Sequence, residues 1–322
     1  MRVELTREMD SAEWDGLVGR DRASTFFHTT AWLRAMTVAP GRREPLYLTG
    51  RSEGRLVAGL PCAVRSVACL RILESMPFGT FGGPVVSSEA PKDAASLLGQ
   101  AFSELARRPA VGAAHVVDYA GRTGSGLDGF RSVGRTVQVV DLDKSYAEVE
   151  AGFRPSARNK IRKARRAGVT VRRGESESDF LAYHDMLLEC ARRWGSPPGI
   201  GEAFLLELRR LAGDSVQVLL AEHEGAVIGG DLNFAYGDTV FNWGNVSRDA
   251  ARTLAPNNLL HATAMQEGIR DGRKVYNLGS SAGIEGVEHF KASFGAEPIP
   301  YRLFTLEKAW FRALRRATGR RE

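Results

Sequence analysis

Val216-Gln-Val-Leu-Leu-Ala-Glu222 and Ala226-Val-Ile-Gly-Gly-Asp-Leu-Asn-Phe-Ala235, joined at Glu224-Gly225, decide the fold. Both runs are rich in strand-forming residues, and the Glu-Gly pair between them is a hairpin signal, so two antiparallel strands are predicted. Residues 239–246 continue the meander as a third strand. Residues 258–271 then take helical spacing and stop at Gly272, where a helix C′ glycine belongs. A strand over 275–278, a helix over 286–294 and a strand over 300–306 follow. Upstream, residues 146–168 and 178–194 repeat apolar positions at the helical period and predict two helices.

The first half follows the same plan. Residues 10–20 and 30–38 predict helices, and 45–48 and 56–64 predict strands around a turn at 52–54. The Gly/Pro-dense stretch Pro77-Phe-Gly-Thr-Phe-Gly-Gly-Pro84 leads to a helix over 91–108 and strands over 111–119 and 136–142. Helices, an antiparallel meander, then helix, strand, helix, strand describe an α/β acyltransferase domain of the GNAT kind. The 322 residues, at about 150 per domain, hold two of them. The expected domains are 1–143 and 144–304, with no low-complexity linker between them.

From Phe234 onward, Asn242-Trp-Gly-Asn-Val-Ser247, Leu254-Ala-Pro-Asn-Asn-Leu-Leu260, Tyr276-Asn-Leu-Gly-Ser280 and His289-Phe-Lys-Ala-Ser-Phe-Gly295 succeed one another. With Phe26-Phe-His-Thr-Thr-Ala-Trp32 and Pro77–Pro84 in the first half, they resemble the FemABX family. Its members are tandem-GNAT transferases that attach amino acids from aminoacyl-tRNA to peptidoglycan precursors, with smaller relatives in natural-product pathways. The resemblance spans nearly the whole chain, and Phe290-Lys291 followed by Phe294-Gly295 is its strongest element. It implies two GNAT-like domains in tandem, no metal, and acyl transfer from an activated ester to an amine. It implies that Lys291 meets the tRNA end or the developing oxyanion, with Phe290 beside it. It also implies that residues 305–322 return to the first domain.

One departure bears on the donor. CoA-using GNAT domains hold the pyrophosphate on backbone N–H groups of a glycine-rich loop at a helix start. The equivalent place reads Arg252-Thr-Leu-Ala-Pro-Asn257, which has no glycine and loses a donor at Pro256. CoA is therefore disfavoured, no cofactor is expected, and aminoacyl-tRNA is the expected co-substrate.

Asp231 and Asn233 lie two apart on one strand and share a face, which Asn242 of the next strand approaches. Such a set either orients an attacking amine, with Asp231 accepting its proton, or is the wet face of a meander. His261 reads as a base or as a packing or capping histidine, and Tyr276 as a substrate contact or core filler. Asn257 or Asn258 is expected to N-cap its helix. Trp243 and the Trp194-Gly195-Ser-Pro-Pro198 corner either stack a tRNA-end base or fill the core. No serine nucleophile elbow occurs, so direct attack without a covalent enzyme intermediate is expected.

Charge is concentrated. The net charge is +6, yet residues 152–173 carry +9 and 301–322 carry +5, leaving the remaining 278 residues at −8. The first run includes Arg158, Lys160, Arg162, Lys163, Arg165 and Arg166, which on a helix leave only a thin seam at Ile161, Ala164 and Ala167. It suits phosphates of a tRNA acceptor stem or of a diphosphate-bearing acceptor. The second run sets Trp310, Phe311 and Leu314 among arginines, which suits packing on the first domain or peripheral contact with an anionic membrane or RNA.

Three cysteines, Cys62, Cys69 and Cys190, form no CxxC, which excludes a disulfide framework and a thiolate zinc site. The acidic N-terminal stretch lacks a signal-peptide core, and no apolar run approaches a membrane span, so a cytoplasmic monomer is expected. The acceptor, a cell-wall precursor or a natural-product amine, stays open. So do two other readings: a tandem-GNAT acyl-CoA N-acyltransferase, and a non-catalytic protein that binds RNA or an anionic surface.

Overall fold

The computed structural model describes residues 1–67, 70–123, 126–195 and 200–317. Cys69, the Ser196-Pro197-Pro198 part of the corner and the tail from Thr318 lie outside them. The chain forms two units: Met1–Arg135 joined by the segment from Pro300, and Thr136–Ile299. These bounds differ from breaks at 143 and 304, because one strand of each unit comes from the other half of the sequence. Strand pairing is non-local, and linear order does not reveal such an exchange.

In the first unit β1 (Arg2–Thr6), β2 (Arg43–Ser52), β3 (Arg55–Val67) and β4 (Leu70–Ser75) form an antiparallel run. The short β5 (Val85–Val86) pairs with β3. Parallel β6 (Val111–Asp118) follows β4, and β13 (Glu297–Glu307) pairs with β6 over Arg302–Glu307. Helix α1 (Ser11–Arg20) starts at Asp10, whose side chain accepts from Glu13 N, and α2 spans Thr30–Ala35. Helix α3 (Ala94–Arg107) buries Leu98, Phe102 and Leu105 against Leu46, Leu48, Leu60 and Val116.

The second unit begins on β7 (Arg131–Asp141), which pairs from Val137 with β12 (Val275–Ser280). The order continues through β11 (Thr239–Ser247), β10 (Ala226–Tyr236), β9 (Val216–His223) and β8 (Thr170–Gly174). The predicted meander is β9–β10–β11, antiparallel throughout. Two neighbouring glycines reveal how its faces are covered. A Cβ on Gly230 would meet Tyr183 and Met186 of α6 (Glu177–Trp194), and one on Gly229 would meet Pro256 and Leu260 of α8 (Pro256–Arg270). Successive strand residues face opposite sides, so α6 and α8 cover opposite faces.

The helix expected over 146–168 is two helices, α4 (Tyr146–Ala151) and α5 (Pro155–Arg166). Pro155 supplies no N–H and disfavours helical backbone at Arg154, so the chain breaks and restarts with proline in its first turn. Strands β1, β4 and β8 and helix α7 (Glu202–Ala212) go beyond the sequence reading. Among the described residues no helix is long and apolar enough to cross a membrane.

Candidate functional site

A β-bulge builds the centre of the site. On a regular strand Asn242 and Asn245, three apart, would face opposite sides. Between β10 and β11 the register shifts so that Leu232 pairs with Gly244 and Asn233 with Asn242, leaving Trp243 as the extra residue. The insertion turns both asparagines toward the α8 face, where Asp231 and Asn233 lie. It sends Trp243 the other way, its ring 6.4 Å from Phe204 of α7 and 5.9 Å from Phe234. Trp243 is thus separated from the other predicted site residues.

Asp231 is fully buried and ringed by donors. Its Oδ1 accepts from Asn242 Nδ2 at 2.5 Å and Asn245 Nδ2 at 3.0 Å. Its Oδ2 accepts from Asn233 Nδ2 and the Tyr276 hydroxyl, each at 3.4 Å, and lies 3.7 Å from His261 Nδ1. Tyr276 Oη is 2.8 Å from the same His261 nitrogen. With the Tyr276 hydrogen on Asp231, His261 Nδ1 carries a hydrogen and donates to Tyr276, a tautomer assigned from the network. Asp231 is therefore ringed by donors and closed to water, which removes the reading of this face as the wet side of a meander.

Burial pushes the His261 imidazole down, with Asp231 opposing and Lys291 reinforcing the shift. Burial, the Asp231 charge and the hydrogen bond to it push the Tyr276 phenol well up. Both groups are neutral near pH 7. The Phe290 and Phe294 rings lie 5.5 and 5.3 Å from His261 and close the apolar side.

Lys291 sits on α9 (Glu285–Ala292), partly buried. Its Nζ donates to Gly279 O at 3.1 Å and Ser280 O at 2.8 Å. Asn277 shapes that acceptor: its Oδ1 takes Gly279 N at 2.8 Å, and Gly279 adopts the left-handed backbone (φ 71°) that glycine allows. Burial lowers the Lys291 ammonium to about 8. This amine is thus held rigidly, beside a neutral imidazole.

The α8 entrance corrects the expected cap. Pro256 is the first helical residue and needs no N–H partner, so the N-cap is Ala255, and neither Asn257 nor Asn258 caps. Ala255 takes left-handed backbone (φ 55°). Asn257 Oδ1 and Asn258 Nδ2 are buried with no partner, which leaves a polar, unsatisfied helix start.

Helix α5 buries Ala157, Ile161 and Ala164, a seam shifted toward its start from the predicted Ile161, Ala164 and Ala167. Lys160, Arg162, Lys163, Arg165 and Arg166 are exposed. Arg158 is a strut instead: its guanidinium donates to Ala151 O at 2.9 Å and Phe153 O at 2.5 Å. Arg172 leaves the basic run as well, held between Asp179 (2.7 Å) and Glu222 (2.6 Å). The start of α5 is tied to the end of α9, through Arg154 N to Ser293 O at 2.8 Å and the Phe153 and Phe294 rings at 5.3 Å.

Asn245 is the member of the constellation that the sequence reading missed; its only signal was its place in Asn242-Trp-Gly-Asn245. Among the described residues no three His, Cys, Asp or Glu side chains are grouped to hold a metal ion.

Residues 151–292 match the acetyltransferase (GNAT) domain family. The structure of FemX superposes with a TM-score of 0.70 at 13% identity, over 98% of this chain and 100% of that one. L-PGS from Bacillus licheniformis gives 0.60 at 14% identity, over 97% of each chain. A tandem GNAT protein from the clavulanic acid biosynthesis pathway gives 0.57 at 16% identity, over 95% of this chain and 98% of that one. A search of curated proteins by sequence finds no match. The chain is an acyltransferase with two GNAT-like domains in tandem. Its fold is that of FemX and its FemABX-like relatives.

Proposed function

We propose that the protein forms an amide between an amino acid carried on tRNA and an acceptor amine, by direct attack on the aminoacyl ester. The observation that carries this reading is the join between α9 and α5. The helix that holds Lys291 abuts the start of the helix whose exposed face bears five basic side chains, Lys160, Arg162, Lys163, Arg165 and Arg166. A polyanion along α5 would bring its end toward Lys291. The absence of glycine from Arg252–Asn257, together with Pro256, weighs against a CoA pyrophosphate there. FemX and L-PGS as fold neighbours are consistent with this donor class.

In this scheme the neutral acceptor amine attacks the ester carbonyl, and the C–N bond forms as carbonyl electrons move to oxygen. Lys291, positioned by Gly279 and Ser280, is the cation for the developing oxyanion. Collapse breaks the ester C–O bond, and the proton lost by the amine ends on the departing ribose oxygen. Asp231, Asn233, Asn242, Asn245, Tyr276 and His261 hold β10, β11, β12 and α8 in register around Lys291. They are positioning residues.

The match to an acetyltransferase domain supports one competing reading, acyl-CoA as donor. Incubation with total charged tRNA and labelled amino acids, with and without ribonuclease, separates the two. Label transfer abolished by ribonuclease supports the tRNA donor, and ribonuclease-insensitive transfer from acyl-CoA replaces it. Reversal of Lys160, Arg162 and Arg165 to Glu should weaken tRNA binding and flatten its dependence on salt. The log–log slope should fall by roughly 0.7–0.9 for each lost phosphate contact.

A further inference from the structure

We propose that helix α10 (Ala309–Ala317) is a membrane-docking element whose outward stripe rests on an anionic bilayer surface. The inference is independent of the acyl donor, since α10 belongs to the first unit and Lys291 to the second. Its inner side is fixed. Phe311 is buried, and a Cβ on Gly112 would lie 2.2 Å from its ring, so the ring rests directly on β6 backbone. Lys308 anchors the helix start, through N to Gly112 O at 3.0 Å and Nζ to Arg107 O at 3.1 Å and Arg108 O at 2.6 Å. Arg312 and Arg315 brace the next turn on Glu307, at 2.9 and 3.0 Å.

The outer side is apolar where a solvated helix would be polar. Trp310, Ala313, Leu314 and Ala317 follow the i, i+3, i+4, i+7 spacing of one helical stripe, and all four are exposed. Trp310 is 44% exposed and Leu314 47%. Exposed Arg316 borders the stripe, and residues 301–322 carry +5 in a body that is otherwise acidic outside the 152–173 run. An apolar stripe with an indole, bordered by a guanidinium group, matches the boundary between acyl chains and anionic headgroups. On a bilayer the Arg316 stem would lie beside the stripe while its charge reaches phosphate. RNA would meet the arginines but leave Ala313, Leu314 and Ala317 without a role. Nine residues give one short stripe, so docking is reversible and depends on lipid charge.

The full chain should be mixed with phosphatidylcholine vesicles, and with vesicles in which a third of the lipid is phosphatidylglycerol, and sedimented. The expected result is binding to the anionic vesicles alone, weakened by salt. Trp310→Ser with Leu314→Ser should lower the partition coefficient at least about tenfold, and Arg316→Glu by several-fold. Ala313→Trp, which adds apolar area, should raise it. The serine pair should melt like the parent, because neither side chain is in the core. Failure of the parent to bind anionic vesicles would overturn the proposal. So would equal binding by the serine pair, or a serine pair that loses RNA retention or self-association in place of vesicle binding.

Discussion

Glu74 in the first unit and Asp231 in the second are both buried carboxylates on sheet strands, and each is satisfied by different chemistry. Glu74 Oε2 takes Arg43 Nε at 2.6 Å, and the buried guanidinium lies 4.3 Å above the Phe78 ring. Charge is cancelled on the spot. Asp231 meets three amides and a phenol, which satisfy its lone pairs without neutralising it. Its field therefore reaches His261 and Tyr276. A buried ion pair needs both partners, whereas a carboxylate among neutral donors can set the electrostatics of a neighbouring group. The first arrangement serves the fold; the second sits where the chemistry is proposed.

Breaking the ion pair should have the largest effect. Glu74→Ala leaves the Arg43 charge buried without a counter-charge, at a cost of about 3–5 kcal/mol in urea unfolding. Glu74→Ala should leave kcat of the folded fraction unchanged. A large fall in kcat with unaltered stability would reverse the roles assigned to the two carboxylates.

Lys291→Ala is the counterpart in the second unit. Removing a donor aimed at a developing oxyanion should lower kcat about 10²–10³-fold, with little change in melting. The pH dependence carries a sign. Burial holds the Lys291 ammonium at about 8, against the ordinary value of 10.5. A step that needs the ammonium is lost as pH rises through about 8, so kcat should descend there, and Lys291→Arg should move that descent upward. Stability runs the opposite way. The unfolded chain holds this proton more tightly between about 8 and 10.5, so Lys291 contributes a rise in stability across that window.

Asp231→Asn should cost less than either, about 1–3 kcal/mol, because an amide donor then faces Asn242 and Asn245. Asp231 also holds the His261 value up against burial. In the variant the His261 titration, followed by NMR, should move lower still. An unchanged His261 titration would remove Asp231 from the electrostatics of the site.

The sequence was informative wherever a residue acts on its neighbours in the chain. The β9–β10 hairpin at Glu224-Gly225, the end of α8 at Gly272 and the basic face of α5 were all readable from local pattern. Asp231, Asn242, His261 and Tyr276 were named from the sequence, and the fold brings them within one hydrogen-bond network. What escaped was non-local or depended on a single inserted residue. The exchange of β7 and β13 between units is a pairing choice that strand propensity cannot express. Asn245 joins the network because of one bulge. The period-2 pattern counted from Asn242 puts Asn245 on the wrong side and Trp243 on the right one. Arg158 looked like its exposed neighbours, and only the break at Pro155 makes it a strut.

The helix starts offer the finest version of the same comparison. In the first unit α1 begins on Asp10, whose carboxylate takes Glu13 N at 2.8 Å, an arrangement that stabilises a helix. In the second unit α8 begins on Ala255, with no side-chain cap and left-handed backbone at φ 55°. That backbone costs an L-residue about 1–2 kcal/mol and costs glycine almost nothing. Glycine returns part of the gain as extra freedom in the unfolded chain. Ala255→Gly should therefore stabilise the protein by roughly 0.5–1 kcal/mol, a rise of about 1–4 °C in Tm. The unsatisfied Asn257 and Asn258 one turn away predict a second consequence. If this start is held for donor binding, a more mobile Ala255→Gly should raise KM for the donor while kcat holds. A stabilised variant with unaltered KM would make the strained α8 entrance a cost to the fold with no role in binding.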